Sequence, residues 1–167
     1  MTYLFEKYTI DVNSGHLLPI NKAIMHGNNV MIESLIHVGK VNFWRVDKTG
    51  KSPIHIAGET CNQKILDVMY EKGADLNLPD FDGNTFIHLI CEGSVSQEEY
   101  NLIVDSFTKY PKLRLTKNKK GQTPFDLIRS YPEKVGVQMK GMDNMRRKLW
   151  DYFEGLIERN PDVIDPS

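Results

Sequence analysis

Four residues of this 167-residue chain have the chemistry of a reactive or metal-binding centre: His55 with Cys61 nearby, and His88 with Cys91 nearby. Histidine and cysteine are zinc ligands, and together they form the base and nucleophile of thiol enzymes. A zinc site needs three or four such groups converging within bonding distance. A cysteine nucleophile needs a depressed thiol pKa and a positioned base. The stretch His-Ile-Ala-Gly-Glu-Thr-Cys at 55–61 offers a histidine, a glutamate and a cysteine in one place. Yet both histidines end copies of the same phrase, since Gly50-Lys51-Ser52-Pro53-Ile54-His55 returns as Gly83-Asn84-Thr85-Phe86-Ile87-His88. Repetition of this kind marks architecture rather than a single centre. The chain also lacks a phosphate-binding glycine loop, a nucleophile elbow and a paired-histidine metal motif.

The elements that carry these residues follow the same period. Gly15, Gly50, Gly83 and Gly121 are each followed by a related tetrad: 18–21 (LPIN), 52–55 (SPIH), 85–88 (TFIH) and 123–126 (TPFD). Each tetrad opens a short apolar helix. A break follows, then a longer amphipathic helix such as Val30 to Ile36 or Ile65 to Tyr70, with apolar residues at three- and four-residue steps. Polar stretches rich in Asn, Asp and Gly, as at 73–83, lead to the next tetrad and have turn chemistry. Pro53 and Pro124 suit a first helical turn, where a missing N–H costs nothing, and Ser52, Thr85 and Thr123 can cap the free amides there.

This pattern resembles the ankyrin repeat family, most closely over 47–88. There Asp47, Gly50, Ser52-Pro53-Ile54-His55, Ala57, Gly73-Ala74-Asp75-Leu76-Asn77, Asp80 and Gly83 follow the family phrase in order. The resemblance implies an all-α solenoid of stacked helix-turn-helix units joined by β-hairpin-like loops. Each unit is too small to bury its own apolar face and leans on its neighbour. It implies one domain over 1–167, with a partial leading repeat or cap at 1–14 and repeats at 15–49, 50–82, 83–120 and 121–160. The last repeat ends in a long capping helix whose apolar stripe is Met142, Met145, Leu149, Phe153, Leu156 and Ile157, stopped at Asn160-Pro161. It also implies that His55 and His88 hydrogen-bond backbone in the hairpin region, with Asn21 and Asp126 in their place in the outer units. Cys61 stands where a loop glycine is usual and where Gly27 stands in the first unit. Asn77 matches asparagines that oxygen-dependent hydroxylases modify in this family, and it is also the pattern's turn residue.

Composition agrees with such a chain. Apolar residues make up 40%, and 21 basic against 22 acidic residues leave a net charge of −1, so no whole-chain field favours nucleic acid or membrane. No apolar run reaches membrane-spanning length, and two cysteines without a CxxC pairing read as reduced, packed thiols. The expected compartment is the cytoplasm or the nucleus.

Departures from the pattern locate the candidate binding residues. The first arm gains Phe43-Trp44-Arg45-Val46, an aromatic pair beside an arginine, and the next tip carries Phe81 between two acids. The third unit is lengthened by a helix starting after Ser96, with Tyr100, Ile103, Val104 and Phe107 as its apolar face. Beyond it come the cations Lys112, Arg114, Lys117, Lys119 and Lys120. The last unit replaces its turn with a longer loop at 131–141. The leading expectation is a non-enzymatic, monomeric protein-interaction module without cofactor or metal. It would bind another protein through its concave face and hairpin tips, using Phe43, Trp44, Arg45, Lys48, Lys51, Phe81, Asn84, Lys119 and Gln122, as scaffold, adaptor or regulator. Two narrower versions are a small inhibitor resembling those of NF-κB-type transcription factors, host or viral mimic, and a targeting or regulatory segment of a larger protein. Thiol chemistry at Cys61 or Cys91 is the enzymatic alternative. Nucleic-acid binding would rest only on 112–120 and Arg146-Arg147-Lys148, against the balanced charge.

Overall fold

A computed structural model describes residues 18–38, 41–134 and 144–159. The expected leading repeat at 1–14, residues 135–141 of the last loop, Met142 and the stop at Asn160-Pro161 lie outside the described residues. Among those described, the chain is helical and has no strand. In order come α1 (Pro19–Met25), α2 (Asn29–Val38), α3 (Pro53–Glu59), α4 (Gln63–Glu71), α5 (Phe86–Glu92), α6 (Gln97–Lys109), a 3-10 turn (Pro111–Arg114), α7 (Pro124–Lys134) and α8 (Asn144–Arg159). They group into two compact units that meet in sequence between Phe81 and Asp82.

In the first unit α1 pairs with α2, α3 pairs with α4, and α1 packs on α3. Short and long helices alternate because two turns of the same kind separate them. After α1, Gly27 adopts φ +62° and Asn28 N–H reaches back to the Ala23 carbonyl at 2.9 Å; after α3, Cys61 adopts φ +52° and Asn62 N–H reaches Ala57 at 3.0 Å. Asn28 and Asn62 then cap the next helix, their Oδ1 atoms accepting from Met31 N–H and Ile65 N–H at 3.0 and 3.2 Å. Only the left-handed region gives this reversal, and a non-glycine residue enters it at a cost of about 1–2 kcal/mol. Cys61 therefore occupies the glycine position as expected. Ile20, Ile24, Ile32, Leu35, Ile54, Ile65, Leu66 and Met69 fill the core between the helices.

In the second unit α5 packs on α7, and α8 packs on both α7 and α6. Ser96 starts α6 with a reciprocal pair: its Oγ accepts from Glu99 N–H at 3.1 Å, and its own N–H donates to the Glu99 carboxylate at 2.7 Å. The buried face of α6 is Leu102, Ile103, Ser106 and Phe107, while Tyr100 and Val104 lie at its rim. Phe153 of α8 meets Phe107 edge-on at 5.3 Å between centroids and Phe125 at 5.0 Å. Together with buried Leu149 these rings dock α8 as the expected stripe requires, while Met145, Leu156 and Ile157 are half-buried. One expectation is corrected: residues 131–134 continue the helix α7 instead of opening the loop. Pro132 makes this extension costly, since it forgoes the backbone bond to the Ile128 carbonyl and crowds that carbonyl.

Candidate functional site

The repeated histidines are structural. His55 Nδ1 accepts from Ser52 N–H at 3.1 Å and lies 2.8 Å from Ser52 Oγ; His88 Nδ1 stands in the same relation to Thr85 at 3.2 and 2.9 Å. A backbone N–H can only donate, so Nδ1 is the unprotonated nitrogen and Nε2 carries the hydrogen. In His88 that Nε2–H points at the Gln122 carbonyl at 3.0 Å, tying α5 to the arm that leads into α7. Both ring nitrogens of His88 are thus spent on backbone. Asp126 does the same work at the head of α7, its Oδ2 accepting from Thr123 N–H at 2.8 Å and from Thr123 Oγ–H at 2.7 Å. Asn21 does not: it is fully buried, and its side-chain amide has no hydrogen-bond partner among the described residues. Its helix begins after Leu18, which has no side-chain oxygen to share.

The Cys91 thiol is equally unlike a reactive centre. Cys91 is fully buried, and burial pushes its thiol up, outweighing the neighbouring charge of Arg146, so it stays protonated. No group of three or more His, Cys, Asp or Glu residues is placed to hold a metal among the described residues.

The hairpin tips are built on side-chain turns. Asp47 Oδ1 accepts from Thr49 N–H at 2.8 Å, Thr49 Oγ–H at 2.6 Å and Lys51 N–H at 3.1 Å, while Asp47 N–H donates to the Lys51 carbonyl at 2.9 Å. Burial raises the Asp47 pKa, but the bonds from Thr49 and Lys51 overcome it and hold the carboxyl below its ordinary 3.8. In the second unit Asn118 takes this role: its Oδ1 accepts from Lys120 N–H and Gln122 N–H, each at 3.0 Å, and its N–H donates to Gln122 at 2.9 Å. Its Nδ2 also donates to Asn84 Oδ1 at 3.0 Å. Asn118 was not singled out from sequence, although it precedes Gly121 by the same three positions that separate Asp47 from Gly50.

The nine candidate binding residues fall into distinct environments. A turn at 42–45, in which Trp44 N–H donates to Asn42 Oδ1 at 2.9 Å, drives Phe43 inward to 5% exposure and leaves Trp44 at 54%. Phe43 therefore belongs to the core of the first unit, which corrects its place among surface candidates. Arg45 and Lys48 are exposed, and half-buried Lys51 ion-pairs with Glu59. Phe81 is 59% exposed with one face of its ring against Gly50. In the second unit Lys119 is exposed, its N–H bonded to the Asp82 carbonyl at 3.0 Å, while Asn84 and Gln122 are half-buried within the tip bonds above. Arg146, read from sequence as part of a basic run, is fully buried, its Nη2 donating to the Cys91 carbonyl at 3.1 Å. No local pattern signals that insertion.

No family model matches the chain. It is similar to a putative ankyrin repeat protein of fowlpox virus, 33% identical over 61 residues, which cover 36% of this chain and 32% of that protein. It is also similar to a probable serine/threonine-protein kinase of Dictyostelium discoideum, 26% identical over 113 residues, or 64% of this chain and 13% of the kinase. Rat protein phosphatase 1 regulatory subunit 12A is 28% identical over 127 residues, or 74% of this chain and 12% of the subunit. The chain thus spans at most about a third of these relatives. Its homologues are ankyrin repeat proteins at modest identity, and the all-helical paired architecture agrees with them. No helix among the described residues is long and apolar enough to cross a membrane.

Proposed function

We propose that the chain is a non-enzymatic protein-interaction module, a scaffold, adaptor or regulator that binds a partner protein through its hairpin tips. The two units would act as one repeat domain, monomeric by itself, in the cytoplasm or nucleus. The observation that carries this reading is the pair of large aromatics held more than half exposed, Trp44 on the turn closed by Asn42 and Phe81 seated against Gly50. Leaving two such side chains more than half exposed forfeits roughly half of the ~1.5–3 kcal/mol that fully burying each would give, and aromatics on rigid supports are the residues from which binding hot spots are made. Arg45 and Lys48 flank Trp44 as a polar rim. The similarity to a phosphatase regulatory subunit supports a regulatory role of this kind. Affinity capture from cells with the Trp44→Ala, Phe81→Ala double variant tests it. Because both side chains are exposed, the variant should keep its fold by circular dichroism yet recover each specific partner at least ~10-fold less well, as loss of a hot spot predicts. Full retention of every partner would refute this surface.

A further inference from the structure

We infer that the arm over residues 109–120 is a docking surface for a short acidic protein segment bearing at least one apolar side chain. This inference rests on the protein-interaction reading and uses residues other than Trp44 and Phe81. The first observation is charge segregation. Six cations, Lys109, Lys112, Arg114, Lys117, Lys119 and Lys120, fall in this stretch with no acidic residue among them, and the remainder of the chain therefore carries an excess of seven negative charges. The near-neutral total conceals a strongly positive arm.

The second observation is that the arm is built rather than loose. Leu113 is fully buried and pins the 3-10 turn to α6, Arg114 Nη2 donates to the Phe107 carbonyl, and Leu115 N–H closes the turn onto Lys112 at 3.2 Å. Asn118 then fixes the tip through Lys120 and Gln122, and the backbone of Lys119 lies over Gly83, where a Cβ would come within 2.7 Å of the Lys119 nitrogen. Cations on a braced backbone cost less ordering entropy on binding than cations on a flexible loop.

The third observation is what the arm presents. Lys112, Lys117, Lys119 and Lys120 are exposed, and among the described residues no carboxylate lies within ion-pair distance of Lys112, Lys117 or Lys120. Like charges held together repel, and an acidic ligand relieves that repulsion when it binds. Leu115, 37% exposed in their midst, offers an apolar contact that a phosphate backbone does not use. A nucleic-acid duplex carries a charge about every 1.7 Å and would run past the arm onto a net-negative remainder, whereas a short peptide ends with the patch.

The test is fluorescence anisotropy with a short fluorescein-labelled peptide of alternating Glu-Asp pairs and leucine, against wild type and the Lys112→Glu, Lys117→Glu, Lys120→Glu variant. Expected are binding to wild type that weakens with added salt, at least ~10-fold weaker binding to the variant, and unchanged binding to Trp44→Ala, Phe81→Ala. The Lys→Gln version at the same three positions should give an intermediate loss, and it keeps the test open if charge reversal impairs folding. No binding at low salt, equal affinity for wild type and both lysine variants, or tighter binding of a duplex oligonucleotide than of the peptide would each overturn the inference. Peptide failure alongside loss of cellular partners on Trp44→Ala, Phe81→Ala would leave the broader proposal standing.

Discussion

The ring of Phe81 rests on Gly50: a Cβ built there would lie 2.5 Å from Phe81 Cγ and 2.7 Å from its backbone nitrogen, while Gly50 itself holds φ +82°. Two tips one repeat apart are thereby brought into contact at a position that excludes every other residue on both conformational and steric grounds. Gly50→Ala should destabilise by about 2–4 kcal/mol, combining left-handed strain with overpacking. In a Phe81→Ala background the additional loss should shrink but persist, because the backbone nitrogen still clashes. Urea denaturation of the four-member cycle measures this, and an unchanged midpoint for Gly50→Ala would contradict the contact.

Gly27 and Cys61 occupy the same turn but have opposite chemistry for it. Nothing lies within 4 Å of a Cβ at Gly27, so Gly27→Ala reports conformational strain alone and should cost about 1 kcal/mol once the lower entropy of the unfolded chain is offset against it. Cys61→Gly removes that strain and should be neutral or stabilising by up to about 1 kcal/mol. Thermal unfolding of both variants with matched controls gives the signs.

The bonds to Asp47 set a pH dependence. Its folded pKa lies below the ordinary 3.8, so the unfolded chain takes up a proton first as pH falls. The contribution is fully present above that value and is lost as pH drops through the folded pKa. Asp47→Ala should lose about 1–2 kcal/mol at neutral pH, and its deficit should narrow in the acid range. Asp47→Asn should keep most of the tip, since Asn118 closes the equivalent turn with an amide, and should show a flatter acid limb. Stability against pH for the three proteins decides it.

Arg146 spans from α8 to the last turn of α5, where its guanidinium donates to Cys91. Arg146→Ala removes a fully buried side chain and that bond together, and should cost about 3–5 kcal/mol. The buried, protonated Cys91 should label with a thiol reagent only on unfolding in wild type, and much faster in this variant. Half-exposed Cys61 should label ahead of Cys91 in both. Fast labelling of native wild-type Cys91 would contradict the burial.

Much of the fold is legible in the chain because its signals act over three or four residues. Ser96 with Glu99, Thr85 with His88 and Thr123 with Asp126 each start a helix through bonds closed within one turn. The candidate surface was less legible. Phe43 and Trp44 are adjacent aromatics of similar apolar character, and Tyr100 competes with Leu102 for the inner face of α6. Composition does not rank such pairs, because each outcome depends on the helix that arrives from elsewhere in the chain. Asn21 shows the converse, since it holds the histidine position without the hydroxyl partner that gives the position its purpose.

The amino-acid order by itself determined where helices start, where they reverse and which glycines the turns require, since all of these are settled by backbone sterics and by bonds between near neighbours. Only the tertiary structure decided that Phe43 is core and Trp44 surface, that Arg146 is buried and the lysines near it in charge are not, and that Phe81 lies on Gly50. Those outcomes are burial and contact between residues distant along the chain. Their free energy exists only once the helices have stacked.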